Sequence, residues 1–138
     1  MKLQIGIITF CLGVFMLLGC RKEPGVGGNA SIKGRIFVEK YNKTFTVLLQ
    51  KYYVAEQDVY IVYGDQYGYS DRVKTDYDGR FAFDYLYPGD YTVYVMSKDS
   101  TFATGDTIGS GEVPVKKELT LKQNKEAVDL GEITILEN

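Results

Sequence analysis

The residue types that could do chemistry in this chain are a thiol, carboxylates and an unusual number of tyrosines. The 138 residues include 2 Cys, 18 Asp and Glu and 12 Tyr, but no His and no Trp. Because a Ser-His-Asp triad, a Cys-His pair and an imidazole base all need histidine, the commonest catalytic groups are excluded. A formal net charge of −2 gives no basic surface for nucleic acid. We therefore expect no enzyme activity, no catalytic residues, no cofactor and no nucleic-acid partner.

Cys20 is the residue to which the sequence gives the clearest chemical role. Lys2 is followed by an uncharged, mostly apolar stretch that closes with Leu17-Leu18-Gly19-Cys20. This stretch is too short to span a bilayer comfortably, so it favours a secretory signal peptide. Residues 17–20 resemble the lipobox of bacterial lipoproteins, which implies cleavage after Gly19 and acylation of the Cys20 thiol. An uncleaved anchor helix, or cleavage elsewhere, is the alternative.

Cleavage at this point divides the chain into three predicted parts. Residues 1–19 form the signal peptide, residues 20–29 the lipidated cysteine with a flexible tether, and residues 30–138 one domain. The tether is predicted from Pro24 and three glycines that follow Arg21 without hydrophobic periodicity. The implied partner is membrane lipid, and the implied location is the cell envelope, in the outer membrane. The sequence leaves open whether the domain faces the surface or the periplasm.

The acidic residues offer two further kinds of site. Oxygen ligands for a hard cation such as Ca²⁺ could come from Asp58, Asp65, Asp71, Asp76 and Asp78. The same residues suit hairpin turns and solvated loops, and no EF-hand loop is present, so we predict no metal site. Paired carboxylates for glycoside hydrolysis need a cleft, for which a domain of this size has little room.

Two short patterns in residues 98–112 resemble O-glycosylation acceptors of Bacteroidetes-type bacterial envelopes. They are Asp99-Ser100-Thr101 and Asp106-Thr107-Ile108. The surrounding Gly, Ser and Thr residues predict a loop in which acceptor hydroxyls are exposed. Ser100 and Thr107 are therefore the predicted modification sites, and an unmodified flexible loop is the alternative.

The elements that must position these residues are strands. Seven short runs of alternating or β-branched residues are separated by Gly, Asp and Asn. They cover residues 31–38, 58–63, 72–76, 80–84, 91–97, 113–122 and 128–136. With no convincing long helix, this spacing predicts an all-β fold, a seven-stranded antiparallel β-sandwich of the prealbumin-like or Ig-like kind.

Alternation within these runs predicts which side chains enter the core. The predicted core consists of Val59, Ile61, Tyr63, Phe81, Phe83, Tyr91, Val93, Val95, Leu119, Leu121, Ile133 and Ile135. Residues on the other phase, such as Arg80, Asp84 and Glu132, suit solvent.

Tyrosine is concentrated in the middle of the chain, since nine of the twelve lie between Tyr60 and Tyr94. Alternation places Tyr60 and Tyr94 on the face opposite the core, where they are the predicted ligand-binding residues. Exposed tyrosines stack on sugars or dock protein partners, because the ring is apolar and the hydroxyl forms hydrogen bonds. Tyrosine is also a good strand former, so a purely structural role is the alternative.

Residues 44–56 are ambiguous. Phe45, Leu48, Leu49, Tyr52 and Tyr53 recur at helical spacing, whereas the β-branched and aromatic content of the segment favours a strand. The sequence is compatible with a short helix or irregular crossover, and also with an extra strand or hairpin that extends the first strand.

The segment from Thr75 to Tyr91 carries the most specific pattern. Its sequence, TDYDGRFAFDYLYPGDY, predicts a turn at Asp78-Gly79, a strand, and a second turn at Pro88-Gly89. The order Thr-Asp-x-x-Gly-x-Phe-x-Phe-x-x-Leu-x-Pro-Gly-x-Tyr resembles the carboxypeptidase regulatory-like domains. These are prealbumin-like β-sandwiches on envelope proteins of Bacteroidetes-type bacteria, and the likeness extends over most of residues 31–136.

The resemblance implies a fold but no reaction, because such modules accompany many proteins and carry no catalytic residues of their own. We therefore expect a membrane-anchored envelope lipoprotein whose β-sandwich is a binding, structural or accessory module, with a protein or glycan partner. The alternatives are a carbohydrate-binding module that uses exposed tyrosines and an adhesin-like module stabilised by Ca²⁺.

Overall fold

The computed structural model describes residues 22–101 and 111–138, and those residues form strands and turns with no helix. In chain order the strands are β1 (Val26–Tyr41), β2 (Leu48–Tyr53), β3 (Asp58–Tyr63), β4 (Asp71–Lys74), β5 (Arg80–Leu86), β6 (Gly89–Lys98), β7 (Glu112–Leu121) and β8 (Ala127–Glu137). The all-β prediction is confirmed. The predicted count of seven strands is wrong, because β2 makes eight.

Two four-stranded sheets make up the domain. In the first sheet β1 is central: β8 lies along one edge, while β5 and β2 share the other edge, β5 beside the first half of β1 and β2 beside the second. The second sheet has the order β4-β3-β6-β7 and is antiparallel throughout. The expectation of a wholly antiparallel fold needs one correction, since β8 runs parallel to β1.

The strand registers give the domain two distinct ends. The lower end carries the start of β1, the β3–β4 loop, the β5–β6 turn and the β7–β8 turn. The upper end carries the β1–β2 turn and the end of β8. Because the chain leaves β7 at the lower end and crosses there to the first sheet, β8 starts at the same end as β1. This crossover is the physical reason for the parallel pairing.

One hydrophobic core lies between the sheets, and it contains the predicted alternating residues. Ten of the twelve predicted core side chains are buried, while Tyr63 and Leu119 are partly buried and pack against the others. The core also includes Ala30, Ile32, Ile36, Val38 and Leu86. Burial of an aliphatic or aromatic side chain of this size contributes about 1.5–3 kcal/mol, so this core supplies the main stabilisation of the domain.

The predicted turn after β4 forms as an Asp-capped loop. Asp76 Oδ1 accepts hydrogen bonds from the backbone N–H groups of Asp78 and Arg80, each at 2.9 Å. Gly79 has φ +74°, and a Cβ there would lie 2.6 Å from the Ile36 carbonyl oxygen. Only glycine fits this position without displacing β1.

Thr75, which begins the same motif, holds the crossover between the two sheets. Its hydroxyl donates to the Val54 carbonyl at 2.6 Å and accepts from the Gln57 N–H at 3.0 Å, and the side chain is buried. Both groups belong to the connection between β2 and β3. A buried hydroxyl therefore fixes the segment that leads from β2 of the first sheet to β3 of the second.

The ambiguous segment of residues 44–56 contains strand β2, so the prediction of an extra strand in a hairpin with β1 is confirmed. Asn42 forms the turn, since its Oδ1 accepts from the N–H groups of Thr46 and Val47 at 2.9 and 3.1 Å. Leu48 and Leu49 remain exposed. The helical spacing was misleading because this edge strand buries few of its side chains.

The first strand begins earlier than expected. Val26 already pairs with Leu86 of β5, four residues before the predicted domain boundary at residue 30. Residues 26–29, which the sequence assigns to the predicted tether of residues 20–29, belong to β1 in the structure.

Tyr52 closes the upper end of the first sheet. Its hydroxyl donates to Glu137 Oε2 on β8 at 2.8 Å, across β1, which lies between the two strands. Partial burial, together with this hydrogen bond, raises the pKa of Tyr52 from its usual value of 10.0 to about 12.

This pKa predicts a loss of stability at high pH. Since the folded-state pKa exceeds the unfolded one, the protonated hydroxyl contributes fully below pH 10 and loses that contribution as the pH rises from 10 to 12. Over this interval we expect Tyr52→Phe to lose less stability than the parent, by on the order of 1–3 kcal/mol. Urea unfolding below pH 10 and near pH 12 measures the difference, with the exposed Tyr77→Phe as control. An equal loss in the parent and Tyr52→Phe would contradict the assignment.

Candidate functional site

The two tyrosines predicted to bind a ligand are direct neighbours. Tyr60 on β3 and Tyr94 on β6 are cross-strand partners, and their rings stack with centroids 5.0 Å apart at an interplanar angle of 15°. Both are partly buried on the outer face of the second sheet. Tyr69, from the loop between β3 and β4, lies 5.1 Å from the Tyr60 ring and is 56% exposed. These three residues form the tyrosine cluster, and Tyr69 has its most accessible ring.

Two cations flank the cluster in the strand register. Arg72 of β4 is the partner of Tyr60, and Lys116 of β7 is the partner of Tyr94. Arg72 also lies 3.7 Å from Asp58, whereas Lys116 is exposed. Partial burial, and to a lesser extent the nearby Tyr60 and Tyr69, raise the pKa of Tyr94 above its usual value. Its hydroxyl can donate a hydrogen bond.

A shallow groove of about 520 Å³ adjoins the tyrosine cluster. Its floor consists of outer-face side chains of β3 and β6, namely Val62, Thr92, Tyr94 and Met96. Polar side chains of the β3–β4 loop and of β7 line its sides, namely Asp65, Gln66, Lys116 and Glu118. The groove thus combines an aromatic surface with hydrogen-bonding groups at a volume typical of small-ligand sites.

The lower end of the domain holds the first described residues of the chain. The buried Tyr91 hydroxyl accepts a hydrogen bond from the Gly25 N–H at 2.9 Å and donates to the Tyr87 carbonyl at 2.6 Å. The Tyr87 N–H donates to the Gly25 carbonyl at 2.8 Å. Pro24 fills the space beside Gly89, where a Cβ would lie 2.6 Å from the proline ring. Residues 24 and 25 are therefore part of the folded domain.

Tyr87 also contacts the residue nearest the start of the described chain. The Lys22 ammonium lies 4.6 Å from the centroid of the Tyr87 ring and 3.5 Å from its hydroxyl. A cation over an aromatic face at this distance is attractive by about 0.5–1 kcal/mol at an exposed site. The contacts of Lys22 and Pro24 leave little free chain before β1.

The acidic residues considered as calcium ligands serve other contacts or stand apart. Asp76 caps its own turn, Asp78 lies 3.2 Å from Arg80, and Asp58 lies 3.5 Å from Lys74. Within residues 22–101 and 111–138, no three His, Cys, Asp or Glu side chains come together as a metal-binding group.

Of the remaining predicted site residues, the structure describes only Ser100. Ser100 is exposed in the turn after β6, next to Asp99, whose carboxylate accepts from the Thr101 N–H and hydroxyl. Thr107 and Cys20 lie outside the described residues.

Sequence reasoning missed three features of these surfaces. Tyr69 lies in a loop, where strand alternation gives no information about orientation. Alternation predicted the burial of Tyr91 but not the partners of its hydroxyl, because those partners come from distant backbone. Lys116 could have been found only from the register between β6 and β7.

No protein-family model matches the chain, and no curated protein is similar to it in sequence. Across the described residues, no helix has both the length and the apolar character needed to cross a bilayer.

The hydrogen bonds of Tyr91 predict a measurable effect of losing one oxygen atom. Tyr91→Phe leaves the Gly25 N–H and the Tyr87 carbonyl without these partners, so we expect a loss of about 1–3 kcal/mol in the free energy of unfolding. Amide exchange at Gly25 should become faster, as measured by NMR. Tyr77→Phe, at an exposed hairpin, is the control and should leave both unchanged. Unaltered exchange at Gly25 in Tyr91→Phe would refute the role of the hydroxyl.

Proposed function

We propose that the protein is a lipid-anchored envelope lipoprotein, located in the outer membrane, whose β-sandwich is a non-catalytic binding or accessory module. The observation that carries the proposal is Leu17-Leu18-Gly19-Cys20 at the end of an apolar segment. The folded domain starts a few residues later, since Pro24 and Gly25 already contact it. This arrangement suits an anchor followed directly by one module.

The domain's likeness to carboxypeptidase regulatory-like modules is part of the proposal. The Asp-capped turn at Asp76–Arg80 and the second turn before β6 have the strand–turn–strand order that the motif implies. The absence of histidine and the use of the described acids in turns and ion pairs support a role without catalysis. Ser100 is exposed, and it remains a proposed site of O-glycosylation.

The anchor is tested by removing its thiol. We expect Cys20→Ser to abolish acylation and processing at this site, so that the processed, acylated form seen in the parent is lost. Mass spectrometry of the purified protein and radiolabelling with palmitate measure the change. Cys11→Ser is the matched control, because Cys11 lies in the predicted signal and should not matter. Unchanged processing and palmitate labelling of Cys20→Ser would refute the anchor.

Recognition of a carbohydrate is the second candidate function, and the groove beside the tyrosine cluster favours it. Sugars have apolar faces that stack on aromatic rings and hydroxyls that need several polar partners. The groove supplies Tyr94 for stacking and Asp65, Gln66 and Glu118 for hydrogen bonds.

A glycan array with point variants tests this candidate. We expect a hit whose binding is weakened at least about tenfold in Tyr94→Ala, corresponding to a stacking loss near 1.4 kcal/mol. Tyr60→Ala should weaken it as well, because Tyr60 supports the Tyr94 ring. Tyr77→Ala, in the exposed turn between β4 and β5 and outside the groove, is the control. A glycan bound equally by Tyr94→Ala and the parent would exclude this face as its site.

A further inference from the structure

We propose that the lower end of the β-sandwich faces the bilayer and contacts the lipid headgroups, so that the domain has a fixed orientation on the membrane. The surface consists of Lys22, Pro24, Tyr87, Pro88 and the β7–β8 turn around Asn124. The inference rests on the proposed lipid anchor at Cys20, and it adds which side of the domain meets the lipid. Its partner is the lipid surface itself.

The free chain between the proposed anchor and the folded domain is short. Lys22 is two positions and Pro24 four positions after Cys20, so a fully extended chain spans about 7 Å and 14 Å respectively. A free tether that ended at residue 29 would span about 32 Å. Since the headgroup region of each leaflet is roughly 5–8 Å thick, the shorter distance keeps the lower end at the lipid surface.

The chain at the lower end is fixed to the domain by the hydrogen bonds of Gly25. Gly25 is held through both its N–H and its carbonyl, by Tyr91 and by Tyr87. The Tyr91 hydroxyl is buried, so release of Gly25 leaves unsatisfied groups inside the domain. The chain that comes from the anchor therefore joins the folded domain at its lower end.

The surface at the lower end exposes apolar and aromatic side chains that suit a lipid interface. Val26 is 62% exposed beside Leu86, and Tyr85 is 72% exposed at a positive φ of 60° on the neighbouring strand. Tyrosine rings are favoured at membrane interfaces, where an apolar ring and a polar hydroxyl are both accommodated. A groove between Lys22, Pro24, Tyr87 and Asn124 gives the end a concave outline that headgroups can enter.

Charge does not select the lipid at this surface. The cations Lys22, Lys122 and Lys125 are matched in number by Glu23, Asp90 and Glu126, and the β3–β4 loop adds the exposed Asp65 at the same end. The lower end therefore has no excess of positive charge, and the covalent anchor and the short connection set the orientation. We therefore expect the same orientation on zwitterionic and anionic bilayers.

Fluorescence quenching in reconstituted vesicles tests the orientation. In the acylated protein the Cys20 sulfur carries lipid, so an introduced cysteine is the only free thiol after the signal is removed. Asn124→Cys places a fluorophore at the lower end, and Lys43→Cys places the matched fluorophore in the exposed β1–β2 turn at the upper end. Phosphatidylcholine vesicles with a spin-labelled headgroup should quench the label at position 124 several-fold more strongly than the label at position 43.

A flexible insertion tests whether the short connection to the anchor causes the orientation. A flexible ten-residue Gly-Ser segment placed between Arg21 and Lys22 should reduce quenching at position 124 to the level at position 43. Equal quenching of the two labels without the insertion would overturn the proposal, as would strong quenching at position 124 that persists with it. A purified protein without acyl chains, seen by mass spectrometry, overturns the anchor and with it the inference. Acylated protein with equal quenching overturns the orientation alone.

Discussion

The first sheet depends on the pairing of one long strand along both of its edges. β1 has 16 residues, and every other strand of that sheet forms its hydrogen bonds with β1. Its inward side chains Ile32, Ile36 and Val38 are fully buried against the second sheet. A change that disturbs β1 therefore removes backbone partners from three strands and apolar contacts from the core at once.

Tyrosine performs three different tasks in this small domain, and the position of each ring decides which. Tyr91 is buried and uses its hydroxyl to hold the backbone at the start of the chain. Tyr52 spans β1 at the upper end through Glu137. Tyr60, Tyr69 and Tyr94 form a contiguous aromatic area on the outer face of the second sheet. A count of tyrosines therefore says little until strand register assigns each one to a face.

Alternation allowed most strands and the core to be predicted, because a period of two directly reflects which face is buried. Residues 58–63 form β3 as expected, and Phe81 and Phe83 lie inside. Alternation did not distinguish a strand from a helix at β2, because most side chains of this edge strand are exposed and carry no alternating signal. It also gave no hint that β8 pairs in parallel with β1, since the direction of a neighbour leaves no local pattern.

For the candidate site, the sequence placed Tyr60 and Tyr94 on one face, and the structure stacks them. It could not supply Tyr69, whose loop bends back over the sheet, or the groove that this loop borders. It also treated residues 24 and 25 as free chain, because glycine and proline without periodicity usually indicate a linker. Here the small residues allow close packing against Gly89 and Tyr87.

The parallel pairing of β1 and β8 also governs the order in which the fold can be completed. The first strand of the domain must wait for the last, since Arg35 is the partner of Glu132, almost a hundred positions later in the chain. Contacts between such distant segments carry a large loop-closure cost and slow folding. Until β8 arrives, one whole edge of β1 exposes unpaired amides and carbonyls to other chains. An emerging polypeptide of this kind benefits from remaining unfolded until β8 has been delivered.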